Sequence, residues 1–355
     1  MNYNRTFIGK NLDVGKIVLR VVRSHTKRCL LITNTTVGKL HLKKVKRSLE
    51  KQGIKVLASI LPDGERYKNL HRVERLYKAA LKARITRKCF AVALGGGVVG
   101  DTAGFFAATF LRGIDFIQIP TTLLAMVDAS LGGKTGVDLP EGKNLVGAFK
   151  MPLAVIMDVK FLRTLPPREM KNGLAEVVKY GILNKSFFGF LEKNMDGIKK
   201  GSEKIILETI RKSAAIKMEI VKKDFRESGL RMILNLGHTI GHAIETLSGY
   251  GKMKHGEAVA SGMIEEIMLN NFIKKCPEKV MVKVISLITK AGFKRIKFDR
   301  KKVLALIQTD KKVIDKKPVF ILIDRIGHPV PGEVPLNVLK QFYKHSGKQS
   351  CKYCF

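Results

Sequence analysis

The sequence of 355 residues contains no tryptophan, and aromatic residues make up only 7% of it. Surfaces that stack the bases of single-stranded nucleic acid need aromatic side chains among their cations. Acidic residues are also scarce, since 30 Asp and Glu stand against 66 Lys and Arg, which gives a formal net charge of +36. The lysines are spread along nearly the whole chain, and no nucleic-acid recognition motif accompanies them. We therefore expect no nucleic-acid partner, and a basic nucleic-acid-binding protein stays the non-enzyme alternative.

Long apolar runs and a disulfide framework are missing as well. The longest uncharged apolar run, residues 89–100, is rich in glycine and too short to span a membrane. The first 16 residues contain no apolar segment typical of a secretory signal. The five cysteines follow no framework spacing, and the terminal pair Cys351 and Cys354 is interpreted as two exposed thiols. These absences predict a cytoplasmic protein without a membrane partner.

The chain is longer than one hydrophobic core usually supports, which favours two domains. Up to about residue 160, short apolar runs such as CLLIT, IKVLASIL, CFAVALG, DFIQIP and LAVIMD alternate with amphipathic stretches at 37–52 and 69–85. This alternation predicts an α/β domain, residues 1–160, with a doubly wound, Rossmann-like parallel sheet. Residues 161–355 are mostly helical in period, with one strand-like run, PVFILID. We expect them to form a mainly α-helical C-terminal domain.

Glycines end one predicted strand in the segment ALGGGVVGDTAGF. Gly95, Gly96 and Gly97 lie where a strand gives way to a helix, with Asp101 nearby. Backbone N–H groups at such a helix start can bind a pyrophosphate. The spacing differs from G-x-G-x-x-G, so a purely structural turn remains an alternative.

A second glycine-rich segment, VDASLGGKTGVDLPEGKNLVGAF, carries Asp128, Lys134, Lys143 and Asn144. Glycines allow close approach of a ligand, and the lysines are suited to a phosphate or a carboxylate. The segment is not a Walker A motif, because the G-x-x-x-x-G-K-[ST] spacing is missing. A solvated loop is the alternative, although GGKTG lies between apolar runs, where unpaired lysines would be costly.

The segment HTIGH sets His238 and His242 four residues apart, on one face of a predicted helix. The glutamate of the H-E-x-x-H zinc proteases is absent, so the two rings could also be core or substrate-binding histidines. Glu176 and Lys179 share another helical face, and His255 precedes a further helix. One Glu and two His from three elements would form a zinc site with an open position. Taken alone, Glu176 and Lys179 are more typical of a surface pair.

These segments make the chain similar to the 3-dehydroquinate synthase family. The resemblance extends in the same order from PDGERYK to TDKK, over more than two thirds of the chain. It implies an NAD-binding α/β domain, a helical metal- and substrate-binding domain, NAD and Zn²⁺ (or Co²⁺) as cofactors, and a homodimer. It also implies the conversion of 3-deoxy-D-arabino-heptulosonate 7-phosphate to 3-dehydroquinate and phosphate, a step of aromatic amino acid biosynthesis in the shikimate pathway. The implied route is transient oxidation by NAD, phosphate elimination, re-reduction and intramolecular aldol cyclisation.

The resemblance also implies roles for individual residues of this sequence. The metal ligands would be Glu176, His238 and His255. The residues for NAD would be Glu65, Lys68, Gly95, Gly96, Gly97, Asp101, Thr121, Thr122, Lys134, Lys143 and Thr164. The substrate phosphate would contact Lys134, Asn144, His242, Lys312 and, from a neighbouring subunit, Arg112. The substrate carboxylate would contact Arg231, Asn235 and Lys217, and the hydroxyls would contact Asp128, Lys143 and Lys179.

Two related enzyme classes remain as alternatives. The first is a sister sugar-phosphate cyclase such as 2-deoxy-scyllo-inosose synthase, whose substrate lacks the carboxylate; Arg231 and Asn235 favour the acid substrate. The second comprises the metal-dependent alcohol and polyol dehydrogenases, which the residues after Glu176 disfavour. The sequence also departs from the family at Asn34, where an acidic residue is common for the adenosine ribose.

Overall fold

A computed structural model describes residues 5–22, 27–249, 253–309 and 318–346. It divides into two compact units, Met1–Met170 and Lys171–Phe355. The division falls ten residues beyond the predicted boundary at 160/161, after the first turn of the helix Pro167–Leu183, so the 3₁₀ segment Val159–Thr164 belongs to the first unit. Lys312 and the Cys351/Cys354 pair lie outside the described residues.

The first unit contains eight described strands and five α-helices. The strands are β1 Arg5–Gly9, β2 Arg28–Asn34, β3 Lys55–Leu61, β4 Phe90–Gly95, β5 Asp115–Pro120, β6 Lys134–Leu139, β7 Gly142–Phe149 and β8 Ala154–Asp158. The helices are α1 Val14–Val21, α2 Thr35–Val37, α3 Lys43–Glu50, α4 Leu70–Lys82 and α5 Gly97–Thr109. Short 3₁₀ segments cover Glu65–Tyr67, Phe110–Arg112 and Val159–Thr164, and π-helical turns cover Gly38–Leu42 and Ala125–Ala129.

Six of these strands form one parallel sheet in the order β1-β8-β5-β4-β2-β3. Strands β4 and β8 are buried along their whole length, as their apolar sequences require of a sheet covered on both faces. The winding direction reverses between β2 and β4, where Thr33 pairs with Leu94. Ligands of open α/β sheets bind beyond the carboxyl ends of the strands at such a reversal. The predicted doubly wound, Rossmann-like sheet is therefore confirmed, with β1 as an additional strand.

The glycine-rich segment 127–149 folds mainly as a β-hairpin, which the sequence did not predict. Strand β6 pairs antiparallel with β7 from Lys134 opposite Phe149 to Leu139 opposite Gly142. The Thr135 hydroxyl donates to the Ala148 carbonyl at 2.8 Å. Helix α5 packs closely here, because a Cβ at Gly104 would lie 2.3 Å from Thr135 Cγ2. The hairpin is thus fixed against the helix that follows the glycine turn.

The second unit is mainly helical, as predicted. Its helices are α6 Pro167–Leu183, α7 Lys185–Lys199, α8 Glu203–Lys223, α9 His238–Ser248, α10 His255–Phe272, α11 Glu278–Lys290, α12 Arg300–Thr309 and α13 Leu336–Ser346. A 3₁₀ segment covers Leu230–Asn235, and strands β9 Val319–Ile323 and β10 Pro329–Glu333 pair antiparallel. Strand β9 lies in the predicted PVFILID run, whereas β10 was not predicted. Within the described ranges, no helix is long and apolar enough to cross a membrane.

Candidate functional site

In the first unit, the glycine turn lies at the carboxyl edge of the sheet. Gly96 is the N-cap of α5, and no side chain caps this helix start. The Thr121 N–H donates to the Gly95 carbonyl at 3.0 Å, and a Cβ at Gly96 would lie 3.1 Å from Thr122 Cγ2. The turn is therefore packed against the end of β5, while the first N–H groups of α5 suit an anionic ligand such as a pyrophosphate.

A buried lysine connects the loop after β3, helix α5 and the hairpin. Lys68 is only 4% exposed, and its Nζ donates to Asp101 Oδ2 at 2.6 Å and to Asn144 Oδ1 at 2.5 Å. Burial lowers the pKa of Lys68, but the charges of Asp101 and Glu65 outweigh it and raise the pKa above its ordinary value. We call Glu65, Lys68, Asp101, Lys143 and Asn144 the Lys68 centre.

The backbone also joins the parts of the Lys68 centre. Asn144 has a φ of +54°, and its N–H donates to Asp138 Oδ1 at 2.8 Å. The Asp138 N–H in turn donates to the Lys68 carbonyl at 2.8 Å. Asp138 therefore bridges the two segments that supply Lys68 and Asn144.

The other charged pair of the Lys68 centre is looser. Lys143 Nζ lies 4.0 Å from Glu65 Oε1, and both side chains are partly exposed. Burial raises the pKa of Glu65, and the charges of Lys68 and Lys143 oppose this rise. Lys134, the first residue of β6, is exposed. The sequence argument that Lys134 sits where an unpaired lysine would be costly is therefore wrong.

The remaining residues predicted in the first unit lie in separate local settings. Thr164 Oγ1 is 2.9 Å from His41 Nε2. Asp128 belongs to the π-helical turn Ala125–Ala129, a distortion that is frequent at functional sites. Arg112 is exposed and has a φ of +65°. Asn34 caps α2, because its side-chain oxygen accepts from the Val37 N–H at 3.1 Å.

In the second unit, the centre of the candidate site is the carboxylate of Glu176. Glu176 belongs to helix α6 and is completely buried, with 0% exposure. Its Oε1 lies 3.4 Å from His238 Nε2 and 3.6 Å from His255 Nε2, and Lys179 Nζ contacts Oε2. Neither carboxylate oxygen has a well-formed hydrogen bond to the described residues. The alternative of a surface pair for Glu176 and Lys179 is therefore wrong.

The three histidines complete this group. The ring centroids of His238 and His242 are 5.2 Å apart, and those of His238 and His255 are 5.4 Å apart. One ring nitrogen of each histidine lies within 4.8 Å of the other two, so the three could hold a metal ion. We call Glu176, Lys179, His238, His242 and His255 the Glu176 centre.

Hydrogen bonds orient two of these rings. His238 Nδ1 is 3.0 Å from the Leu236 carbonyl, and His255 Nδ1 is 3.1 Å from Glu245 Oε2. A carbonyl or carboxylate oxygen only accepts, so the Nδ1–H of each ring donates. A histidine that binds a metal must be neutral, and in that form each ring keeps its lone pair on Nε2, the atom that faces Glu176. One carboxylate oxygen and two imidazole nitrogens are a donor set that fits Zn²⁺ or Co²⁺.

The pKa values of the residues in the Glu176 centre are shifted in different directions. Burial would raise the pKa of Glu176, but the charges of Lys179 and His238 hold it well below its ordinary value. Burial lowers the pKa of His238, and the charge of Lys179 adds to the effect. Burial also opposes the charge of His255, yet the carboxylates of Glu176 and Glu245 close to its ring raise its pKa to about 9. The carboxylate of Glu176 is thus kept ionised.

Close packing sets the helices that carry these side chains. A Cβ at Gly262 would lie 2.0 Å from the Gly237 carbonyl oxygen, so α9 and α10 can approach only because a glycine is present. The Asn172 side chain accepts from the Gly256 N–H at 2.7 Å. Asn172 lies one helical turn before Glu176, and Gly256 follows His255. This hydrogen bond therefore holds α6 and α10 in register.

The residues predicted for the substrate carboxylate lie on α8 and in the segment after it. Arg231 is 2% exposed; its N–H donates to Asp224 Oδ2 at 2.9 Å and its Nη1 to the Phe225 carbonyl at 2.6 Å. The backbone N–H groups of Arg231 and Ser228 hold the pKa of Asp224 at about 2. Asn235 donates to Glu227 Oε1 at 2.8 Å. Lys217 on α8 is also buried.

Sequence reasoning missed three buried polar residues near these groups: Asn172, Glu245 and Glu266. Glu266 Oε2 accepts from the Gly237 N–H at 2.8 Å. A signal for Glu245 was available, because it follows His238 by seven residues and His242 by three. Residues at these spacings share a helical face. Nothing in the local pattern singles out Asn172 or Glu266.

Comparisons with known proteins identify relatives over most of the chain. Residues 58–172 match a family model described as 3-dehydroquinate synthase N-terminal, and residues 173–313 match one described as 3-dehydroquinate synthase C-terminal. A 3-dehydroquinate synthase of Nitrosospira multiformis is 44% identical over 319 residues, which cover 89% of this chain and 87% of the relative.

Two solved structures extend the comparison. A 2-deoxy-scyllo-inosose synthase, complexed with carbaglucose-6-phosphate, NAD⁺ and Co²⁺, aligns with a TM-score of 0.84 and 28% identity over 96% of each chain. A 2-epi-5-epi-valiolone synthase from Streptomyces hygroscopicus subsp. jinggangensis, with NAD⁺ and Zn²⁺ bound, aligns with a TM-score of 0.89 and 22% identity over 98% of each chain. At that identity the second likeness establishes the fold alone.

Proposed function

Because the chain belongs to the 3-dehydroquinate synthase family, we propose that it converts 3-deoxy-D-arabino-heptulosonate 7-phosphate to 3-dehydroquinate and phosphate. The observation that carries this proposal is the approach of His238 Nε2 and His255 Nε2 to one buried oxygen of Glu176, at 3.4 and 3.6 Å. Three such ligands around a cation leave a position open for substrate. The enzyme would be an NAD- and metal-dependent phosphate lyase.

Glu176, His238 and His255 are the proposed metal ligands in this activity. When bound, NAD supplies reversible hydride acceptance, and Zn²⁺ or Co²⁺ polarises a substrate hydroxyl. His242 is exposed and one helical turn beyond His238, so we assign it to the substrate phosphate. Lys179, in contact with Glu176, would approach the hydroxyls and offset the charge of the carboxylate.

The first unit supplies the proposed NAD site. The N–H groups at the start of α5 would bind the pyrophosphate, and the Lys68 centre would fix the turn beside it. The full proposed set is Glu65, Lys68, Gly95, Gly96, Gly97, Asp101, Thr121, Thr122, Lys134, Lys143 and Thr164. The proposed division of labour is NAD binding by residues 1–160, and metal and substrate binding by residues 161–355.

The remaining charged residues suit a substrate with a carboxylate and a phosphate. Arg231, Asn235 and Lys217 would bind the carboxylate, since a buried guanidinium favours an anionic partner. Lys134, Asn144 and Lys312 would contact the phosphate, together with Arg112 from the second subunit of a homodimer. Asp128 and Lys143 would contact hydroxyls. These groups position the substrate and stabilise its charge, while the substrate phosphate can take the proton itself. We propose that the reaction takes place in the cytoplasm.

A sister cyclase activity is the second candidate, because the 2-deoxy-scyllo-inosose synthase structure is 28% identical over 96% of this chain. The two activities differ in the carboxylate that Arg231 would bind. A hexose phosphate without a carboxylate is therefore the discriminating substrate. Turnover of that sugar alone would favour the second candidate.

The direct test is an assay of the purified protein with the seven-carbon substrate, NAD and Zn²⁺. Phosphate release and formation of 3-dehydroquinate are followed together, with hexose phosphate in a parallel reaction. We expect both products from the seven-carbon substrate and none from the hexose. Absence of turnover by folded, metal-loaded protein would refute the proposed function.

A further inference from the structure

A second carboxylate lies behind one of the proposed metal ligands. We propose that Glu245 is a positioning residue, which holds the ring of His255 so that its Nε2 faces the metal. The inference rests on the proposed function, because it needs a metal at the Glu176 centre. It concerns a residue that would touch neither substrate nor cofactor.

The contact is a direct hydrogen bond, and the carboxylate that makes it is largely shielded from solvent. Glu245 is 8% exposed, and its Oε2 lies 3.1 Å from His255 Nδ1. The two residues belong to different helices, since Glu245 is in α9 and His255 is the first residue of α10. The hydrogen bond therefore fixes the ring at a point where the chain enters a new helix.

Because Glu245 belongs to α9, this helix would carry one metal ligand and orient a second. His238, His242 and Glu245 follow one another at spacings of four and three residues, which place them along one helical face. The first would bind the metal directly, and the last would reach the metal through His255. One rigid helix would thereby set the geometry of two ligands.

The chemistry of the two histidines differs because of this contact. His238 donates its Nδ1–H to a neutral carbonyl, that of Leu236 at 3.0 Å, whereas His255 donates to a carboxylate. A carboxylate partner fixes the tautomer and makes Nε2 a more basic ligand. It also adds a negative charge close to the cation. We expect that removal of the Nδ1 partner of His255 weakens metal binding more than removal of the Nδ1 partner of His238 would.

The test is Co²⁺ titration of the full-length, metal-free protein, followed by visible absorption and by competition with a chelator. Loss of such an outer partner typically weakens metal binding about 10–100-fold, and we expect this range for Glu245→Ala. Glu245→Gln keeps an acceptor oxygen but loses the charge, so its affinity for Co²⁺ should fall about 10-fold. Glu208→Gln is the matched control, because Glu208 is a partly exposed glutamate of α8 paired with Lys212. It should bind Co²⁺ as the unaltered protein does.

The outcomes separate the inference from the function on which it rests. If the unaltered protein neither binds Co²⁺ nor turns over substrate, the proposed function and the inference both fail. If it does both, and folded Glu245→Ala binds Co²⁺ within about twofold of it with the same spectrum, only the positioning role is overturned. Should Glu245→Ala not fold, Glu245→Gln decides by the same criterion. Weaker binding with an altered Co²⁺ spectrum in a folded variant supports the role.

Discussion

Each unit has a buried charged side chain at the centre of its candidate site, and these two side chains are opposite in sign. Lys68 is a cation beside acids, with hydrogen bonds of 2.6 and 2.5 Å to Asp101 and Asn144. Glu176 is an anion beside Lys179, His238 and His255, but neither of its oxygens has a well-formed hydrogen bond to the described residues. The first charge is both paired and hydrogen-bonded within the folded chain, whereas the second is paired but lacks well-formed hydrogen bonds.

This difference indicates two ways to build a binding site. A buried charge is costly unless it is paired and hydrogen-bonded. The Lys68 centre meets that condition without a ligand, so its residues stabilise the unit and shape a surface. At the Glu176 centre, a divalent cation would meet the condition through the carboxylate and two Nε2 atoms. Metal binding should therefore stabilise the second unit, whereas the Lys68 centre should stabilise the first unit without any cofactor.

The largest expected effect concerns the division of labour in HTIGH. His238→Ala should lose both metal and turnover, because it removes a proposed ligand. The loss of metal affinity should exceed the roughly 10–100-fold that outer partners cost. His242→Ala should keep the metal. Its kcat/KM should fall about 10–100-fold, because the variant loses a hydrogen bond to a charged group of the substrate. Metal content by elemental analysis and steady-state kinetics decide, and equal loss of metal in both variants would contradict the assignment.

Replacement of the buried lysine tests the other centre. Lys68→Met leaves Asp101 without its closest cation, and we expect a loss of about 2–3 kcal/mol in the free energy of unfolding. This is less than for a fully buried pair, because the Asp101 side chain is 21% exposed. Urea unfolding without cofactor measures the loss. Lys78→Met is the control, since Lys78 pairs with Glu74 on the surface, and its midpoint should hardly move.

A further buried acid sharpens the comparison, because Glu266 has no cation partner among the described residues. It is 0% exposed, and burial raises its pKa from 4.5 to about 8, against the lowering effect of the Gly237 N–H. The folded chain thus keeps its proton where the unfolded chain loses it. The contribution of Glu266 to stability should therefore fall as pH rises from about 4.5 to about 8, and stay level above that range.

Glu266→Gln imitates the protonated acid and still accepts from Gly237. Relative to the unaltered protein, the variant should gain stability as pH rises through that window, by up to about 1.4 kcal/mol per pH unit. Thermal unfolding of both proteins at several pH values measures the difference. A difference that stays flat or shrinks with rising pH would show that Glu266 ionises normally in the folded protein.

Much of this arrangement could be predicted from the sequence, because local patterns carried it. Buried strands such as β4 and β8 are continuous apolar runs, and the i, i+4 spacing of His238 and His242 placed both rings on one face. Strand β1 was missed, since it pairs with β8 across about 150 residues of chain. The β6–β7 hairpin was missed because glycines and lysines replace the β-branched residues that typify strands.

The burial of the site residues could not be predicted from the sequence. Glu176 and Lys179 form a pattern that usually lies on a surface, and only the packing of α6 makes them 0% and 2% exposed. Lys134 is the reverse case, flanked by apolar runs yet exposed at the start of β6. Partners far apart in sequence, such as Asn172 with Gly256, depend on how helices pack. Local periodicity contains no information about that packing.

The smallest expected change in stability concerns Lys143, the outer cation of the Lys68 centre. Its Nζ is 4.0 Å from Glu65 Oε1, and the two side chains are 32% and 41% exposed. Lys143→Gln should therefore change the free energy of unfolding by less than about 1 kcal/mol. It should still lower kcat/KM by about 10-fold or more, because a contact to NAD or to a substrate hydroxyl would lose its charge. Urea unfolding and kinetics on one preparation compare the two effects. A stability loss equal to that of Lys68→Met, with unchanged kinetics, would mean that Lys143 acts in folding and not in binding.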